Sequence, residues 1–354
     1  MASSIPLRPR FAFLDGIRGL AALIVVLHHV YLEVAPSNRM PVATRYLFAW
    51  LLHGDLAVAV FIVLSGFCLA LPTASGAARP TFKKFIFRRS RRILPPYYAS
   101  LVATLALIYL LPTMRAKTGS RWDVALPAFS PMVVTSHVLM FHDFSSAWSL
   151  RINPPMWTVA VEWQIYFAFI LVLLPIWQRF GVTVAVAIAF GIGLLPLAFH
   201  HGYDLHPWYL GLFAVGMAAA QFACCRETDW NIRVWRYPVV VGWTGVLIVA
   251  SFCPAIFVHK IICDTILGVL TALSIVVLAH RRMANPLGVG MLDSAPFVLL
   301  GTFSYSLYLV HFPIVSFLYR SLPLRIFLVA VLPSSLVVAY VFHLAFERPF
   351  QRGH

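Results

Sequence analysis

Ten long apolar runs, separated by short polar stretches, dominate the pattern of this chain. They lie at roughly 14–34, 47–71, 96–112, 155–177, 180–199, 207–225, 237–254, 260–279, 297–318 and 326–346. Each is near the length of about 17–25 residues that an α-helix needs to cross a bilayer. The pattern predicts an all-α, polytopic membrane helix bundle of about ten transmembrane helices. An even number of spans puts both termini on one side of the membrane. The longest polar stretch, 113–154, holds prolines, glycine and several aromatics, and is expected to carry a short ordered segment. No soluble domain flanks the runs and no repeat of solenoid period is visible, so residues 1–354 are expected to form a single membrane-embedded domain.

Composition agrees. Of the 354 residues, 61% are hydrophobic and 11% charged, with a mean hydropathy of +0.84. A soluble domain has about 45–50% apolar and about 25% charged residues. The net charge is +15. In a soluble protein that would suggest nucleic acid, but here it first marks loops on the cytoplasmic side. With the N-terminus inside, about two thirds of the 27 Lys and Arg fall in inner segments, so both termini are expected in the cytoplasm of a plasma-membrane protein. RPTFKKFIFRRSRRILPP, residues 79–96, is the densest inner loop on this reading, with seven basic residues and no acid. The five cysteines show no CxxC spacing, and Cys224 and Cys225 are adjacent. They read as reduced packing residues rather than as a disulfide framework or metal site. Arg8 and Arg10 before an apolar run resemble a signal peptide. No small-residue cleavage site follows, so this is read as a retained first span.

Ionisable side chains at membrane depth cost several kcal/mol and usually face a protein interior or a water-filled cavity. In the first span, Arg18 and His29 are eleven residues apart, which on a helix is three turns plus about 20° and a rise of about 16.5 Å. The two share a face, with Arg18 at the inner surface and His29 deep in the membrane. His28 falls about 80° off that line and is expected to pack. Asp15, one turn before Arg18, is placed to hold the guanidinium, and Glu33, one turn after His29, to orient its ring. Arg88, Arg89, Arg91 and Arg92 precede the third span. Anchoring to lipid headgroups explains part of that charge, but arginines rather than lysines suit planar recognition of phosphate. Glu162 lies about a turn into the fourth span, and Asp55 and His311 in the second and ninth. Asp264 and His343 read as structural, and Glu347 with Arg348 as a pair capping the last span.

DGIRGLAALIVVLHH, FIVLSGF, FRRSRRILPPYY, MWTVAVEWQIYF, FSYSLYLVHFPI and FERPF, in that order over about 13–351, resemble the acyltransferase-3 family of integral-membrane O-acyltransferases. The resemblance implies transfer of an acyl group, most often acetyl, from acyl-CoA to a hydroxyl, usually of a cell-envelope polysaccharide or lipid-linked glycan and sometimes of a glycosylated antibiotic. The family's Arg-x10-His signature falls on Arg18 and His29. Its Arg-x-x-Arg falls best on Arg89 and Arg92, with Arg88 and Arg91 as an overlapping match. Its fourth-span acid falls on Glu162, after Trp157, although Trp163 stands where many relatives carry a second acid. Some members carry a hydrolase-like domain after the core. The sequence given ends at His354, which predicts that the reaction finishes within the membrane domain or is handed to a partner from a biosynthetic complex.

The mechanism this suggests has Arg18, Arg89 and Arg92 hold the phosphates of acyl-CoA, a donor substrate rather than a resident cofactor. No permanently bound cofactor or metal is expected. Neutral imidazole, with an ordinary pKa of about 6.5, makes His29 the base, with Glu162 as a second catalytic candidate. An acyl-enzyme step on His29 is the alternative route. Ser65, Ser304 and Ser306 sit in no GxSxG elbow and read as helix-packing hydroxyls. Trp122 and Trp148 are candidates for stacking on an acceptor sugar. A transporter of a sugar or lipid-linked precursor is the rival from another class, but no inverted repeat is visible and the arginines call for a phosphate ligand. A homo-oligomer is also compatible with the sequence.

Overall fold

In the computed structural model, the residues described are 11–35, 44, 47–198, 205–224, 232–253, 256, 259–284 and 290–351, and among them there is no strand. Arg8, Arg10, Cys225 and His354 lie outside these residues. Within lipid every backbone N–H and C=O must be satisfied inside the chain, which leaves helices as the spanning solution for apolar runs of this length. The main helices are α1 (Ala12–Val34), α2 (Leu56–Ala74), α3 (Phe82–Leu110), α4 (Met156–Phe180), α5 (Val182–Ala198), α6 (Tyr209–Cys224), α7 (Ile232–Phe252), α8 (Lys260–Ala284), α9 (Ala295–Thr302), α10 (Ser304–Ser321) and α11 (Leu324–Phe342). Each of the ten apolar runs falls on one of them, with the ninth shared by α9 and α10. Among the described residues, seven helices can cross a membrane by length and composition, α9 and α10 form a pair bent by 73°, and α5 and α6 are shorter apolar helices. The chain is an all-α, multi-pass membrane bundle.

Three boundaries differ from the sequence reading. The arginine-rich stretch is not a loop, because α3 starts at Phe82, where Thr81 caps the helix by accepting from the Lys84 N–H. The ninth span is broken after Thr302, and the Ser304 hydroxyl donates to the Gly301 carbonyl beside the break. The second span begins only at Leu56, after a 3-10 turn over Ala49–His53.

Helix α1 packs against α2, α9 and α10, and α2 lies most intimately on α6. A Cβ at Gly66 would overlap the backbone carbonyl of Phe213, and one at Gly216 that of Val63. These glycines let the two backbones approach closely, as small residues do in membrane helix pairs. Pro313, inside α10, has no N–H for the carbonyl of Leu309. That carbonyl is satisfied across the bundle by Ser100 (3.0 Å) and by the Asn153 amide (2.8 Å). The stretch between α3 and α4 is ordered, with a 3-10 turn at Arg121–Ala125 and a helix at Pro131–Val138.

Candidate active site

Two adjoining cavities occupy one end of the bundle. The outer one, about 450 Å³, is lined by Asp15 and Arg18 of α1, Arg88, Arg89 and Arg92 of α3, Ser304 and Tyr305 of α10, and Glu347 at the end of α11. The inner one, about 340 Å³, shares Arg18, Arg89, Arg92, Ser304 and Tyr305, and runs on between α2, α4 and α10. Its α2 wall is a stripe at helical spacing: Val58, Phe61, Ile62, Ser65, Cys68 and Leu69. Thr158, Val159, Glu162 and Tyr166 form the α4 wall.

The arginines occupy different settings. One Arg18 nitrogen donates to Asp15 (3.0 Å), the partner expected from the sequence, and another lies 3.0 Å from the Cys68 sulfur. Arg89 sits over the Phe85 and Tyr166 rings at 5.8 and 5.9 Å, and its Nε has no hydrogen-bond partner. Arg92 is exposed. Arg88 reaches the outer cavity, whereas Arg91 lines neither and lies over Phe87. Positions 85, 88, 89 and 92 share a helix face that 91 leaves, so of the two overlapping Arg-x-x-Arg matches it is Arg89 and Arg92 that face both cavities.

Glu162 lies on the cavity wall rather than beside His29. It accepts from the Ser65 hydroxyl (2.7 Å) and the Tyr166 hydroxyl (2.6 Å), which are 3.2 Å from each other. Ser65 is therefore not merely a packing hydroxyl. Ser306 is one of the partners of Glu347, at 2.5 Å, together with His343 (2.9 Å) and Gln351 (2.7 Å). Glu347 thus pairs with these three rather than with Arg348.

His29 is half-buried beyond the inner end of the cavity. That end is closed by Val58, Phe61, Thr158 and Tyr308. The Tyr308 hydroxyl bonds Thr158 (2.8 Å) and its ring meets Phe61. One turn further along α10, His311 is fully buried, with its Nε2 3.1 Å from His29 Nδ1. The cavity therefore stops a turn short of the histidine. His28 packs as expected, against the Leu51 carbonyl (2.6 Å). Glu33 does not orient His29, because its carboxylate is turned to the backbone N–H of Arg121 (3.2 Å). Trp122 is fully buried and stacked on Phe312, so it is unavailable to a sugar. Trp157 stacks on His206. Asp264 accepts from Trp208 (2.9 Å), and Asp55 pairs with Lys260. The four described cysteines are free thiols.

His311 was visible in the sequence as a buried ionisable group, but its contact with His29 spans 282 positions and leaves no local signal. Tyr305, Tyr308 and Cys68 were missed as cavity residues. The three-and-four spacing of Ser304, Tyr305 and Tyr308 on one face of α10 is the trace that could have found the tyrosines.

The site is thus an arginine-lined double cavity in a multi-pass membrane bundle, with His29 and His311 a turn beyond its inner end. The acyltransferase domain model matches residues 11–344, and the chain belongs to that family of membrane acyltransferases. It is 24% identical to the acyltransferase MdmB of Streptomyces mycarofaciens over 334 residues, covering 88% of this chain and 80% of that protein. It is 26% identical to the putative membrane-bound transacylase BcsY of Komagataeibacter xylinus, covering 85% and 72%. With the peptidoglycan O-acetyltransferase OatA of Listeria monocytogenes it shares 25% identity, covering 86% of this chain but 49% of that one. No solved structure matches the chain.

Proposed function

We propose that this acyltransferase moves an acyl group, acetyl in the first instance, from acyl-CoA to a hydroxyl of a carbohydrate acceptor such as a cell-surface polysaccharide or lipid-linked glycan. The observation that carries the reading is the shared wall of the two cavities. Arg18, Arg89 and Arg92 face both, so one set of guanidiniums can grip phosphates in the outer cavity while a long arm enters the inner one. Arginine forks suit that task because they make paired, charge-assisted hydrogen bonds to phosphate oxygens. The excess of basic residues in the inner segments supports a cytoplasmic setting for this end, where acyl-CoA is found.

The inner cavity offers an extended arm the carboxylate of Glu162, held by Ser65 and Tyr166, as an acceptor for amide N–H groups. Glu162 on this reading binds the donor and does not take the acceptor's proton. The rise from Arg18 to His29 is about 16.5 Å, on the scale of a stretched pantetheine arm, with Tyr308 turning aside to admit the thioester. His29 then takes the proton of the acceptor hydroxyl. The oxygen attacks the thioester carbonyl, the C–S bond breaks, and the CoA thiolate recovers the proton from the imidazolium. General-base help of this kind is worth about 10²–10⁴-fold.

Purified protein in detergent, given acetyl-CoA with and without candidate glycans, tests the reading. Acceptor-dependent release of CoA is the expected result. Uptake of a glycan into vesicles with no CoA release would replace the reading with a carrier.

A further inference from the structure

Two histidines, His29 half-buried and His311 fully buried, meet a turn beyond the inner end of the cavity, and the hydrogen-bond geometry around them admits one arrangement of protons. His311 Nδ1 lies 2.8 Å from the Tyr308 carbonyl and 3.0 Å from the Leu307 carbonyl. A carbonyl oxygen only accepts, so this nitrogen carries the hydrogen. In the neutral ring the other nitrogen is then a bare acceptor, and His311 Nε2 is the atom that points at His29, 3.1 Å from its Nδ1. That Nδ1 is also 2.9 Å from the Val25 carbonyl. With acceptors on both sides, His29 Nδ1 carries its hydrogen and shares it between them. The opposite assignment would keep a hydrogen between the two rings but set ring lone pairs against carbonyl lone pairs at three contacts.

We infer that His311 is a positioning residue that holds His29 in the Nδ1–H form with its Nε2 lone pair bare and aimed away from the pair. This rests on the reading of His29 as the base and assigns the proton-accepting atom, Nε2. The second nitrogen of a catalytic histidine commonly decides which tautomer is present, and a ring held in the wrong tautomer loses most of its activity. Here no carboxylate does this work, because Glu33 is turned to Arg121. The ring plane is fixed as well: His28 and Phe312 stand edge-on to His29 at 4.8 and 4.9 Å. Once the base has taken a proton, the imidazolium's Nδ1–H faces the His311 lone pair, which stabilises the charge.

The test compares His311→Leu, His311→Gln and His29→Ala in the acyl-CoA assay, alongside ¹⁵N NMR of histidine-labelled protein in detergent, with the His29 signals assigned from the His29→Ala spectrum. The wild-type spectrum is expected to show His29 protonated at Nδ1 and bare at Nε2. His311→Leu should lower kcat by about 10–100-fold, the usual cost of losing an orienting partner, with KM for acetyl-CoA unchanged. His311→Gln, whose amide oxygen can accept at the Nε2 position, should return kcat to within a few-fold of wild type. A His29 proton on Nε2, a His311→Leu enzyme with wild-type kcat, or a His311→Gln enzyme as slow as His311→Leu overturns the inference. An active His29→Ala enzyme would instead remove the base, and the wild-type tautomer still reports on the contact with His311. Should His311→Leu fail to fold, the glutamine variant and the wild-type spectrum decide.

Discussion

Arg89 and Arg91 differ by two positions on one helix, and the phosphate-binding role of the basic end can be tested by removing each. Arg89 faces both cavities, so its guanidinium is placed to donate to a phosphate held there. A hydrogen bond to a charged group contributes about 1.5–3 kcal/mol, and each 1.4 kcal/mol is about tenfold in affinity. Arg89→Gln should therefore raise the Kd for CoA by about 10–150-fold. Arg89→Lys keeps the charge but loses the planar fork and should fall between. Arg92 is exposed, so solvent screens it, and Arg92→Gln should cost about 1 kcal/mol or less. Arg91 lies over Phe87 and lines neither cavity, which makes Arg91→Gln the control with wild-type affinity. Isothermal titration of each purified variant with CoA, repeated at two salt concentrations, reads all four. An unchanged Kd for Arg89→Gln, or equal losses for Arg89→Gln and Arg91→Gln, would return the cluster to simple attraction to lipid headgroups.

Replacing His29 with Ala should abolish transfer in the CoA-release assay while leaving CoA affinity and thermal stability at wild-type values, and full activity would refute its role. Gly66→Leu should lower the thermal midpoint in detergent, because overpacking against the Phe213 backbone costs about 1–3 kcal/mol. Gly245→Ala, where an added Cβ meets nothing within 4 Å, should leave it unchanged. In the segment between α3 and α4, burial lowers His137 to about 4 and, together with the charge of His137, lowers His142 to about 3, while burial raises Asp143 to about 6. The folded state excludes protons from both rings, so their contribution to stability is present above the unfolded histidine pKa of about 6.5 and is lost as pH falls below it. Asp143 works the other way between about 4 and 6, because the fold favours its protonated form. Two rings outweigh one acid, so the thermal midpoint should fall as pH drops from 7.5 to 4.5. His142→Phe, which keeps the stacked ring, should flatten that slope, and an unaltered slope would refute the assignment.

How much of this was legible before folding depends on the range of each interaction. Arg18, Asp15 and His29 lie on one helix, where three-and-four spacing alone predicts shared faces, and the Asp15–Arg18 contact is present. The same rule misplaced Glu33. Spacing puts it within reach of His29, yet the Arg121 N–H, 88 positions away, binds it instead, while the His29 Nδ1 is already engaged by Val25 and His311. Glu162 was legible as a charge too costly to bury idly. Its partner Ser65 was not, since a lone serine in an apolar helix looks the same whether it bonds its own backbone or a carboxylate on another helix.

The separation of Glu162 from His29 carries the same lesson further. Both are ionisable groups at membrane depth and sequence alone ranked both as catalytic, but Glu162 shares the cavity wall with Tyr308, whereas His29 meets His311 one turn beyond it. Pro313 is part of the reason. By leaving the Leu309 carbonyl without its helical partner, it draws Ser100 and Asn153 onto α10 and so braces the helix just where Tyr308 faces the cavity and His311 faces α1. A proline in an apolar run reads from sequence only as a kink. Its effect here is to tie α10 to its neighbours through the one backbone group that lipid could not have satisfied. What a polar group does in this bundle is therefore decided by which distant backbone or side chain is left wanting a partner, and that is fixed only when the helices pack.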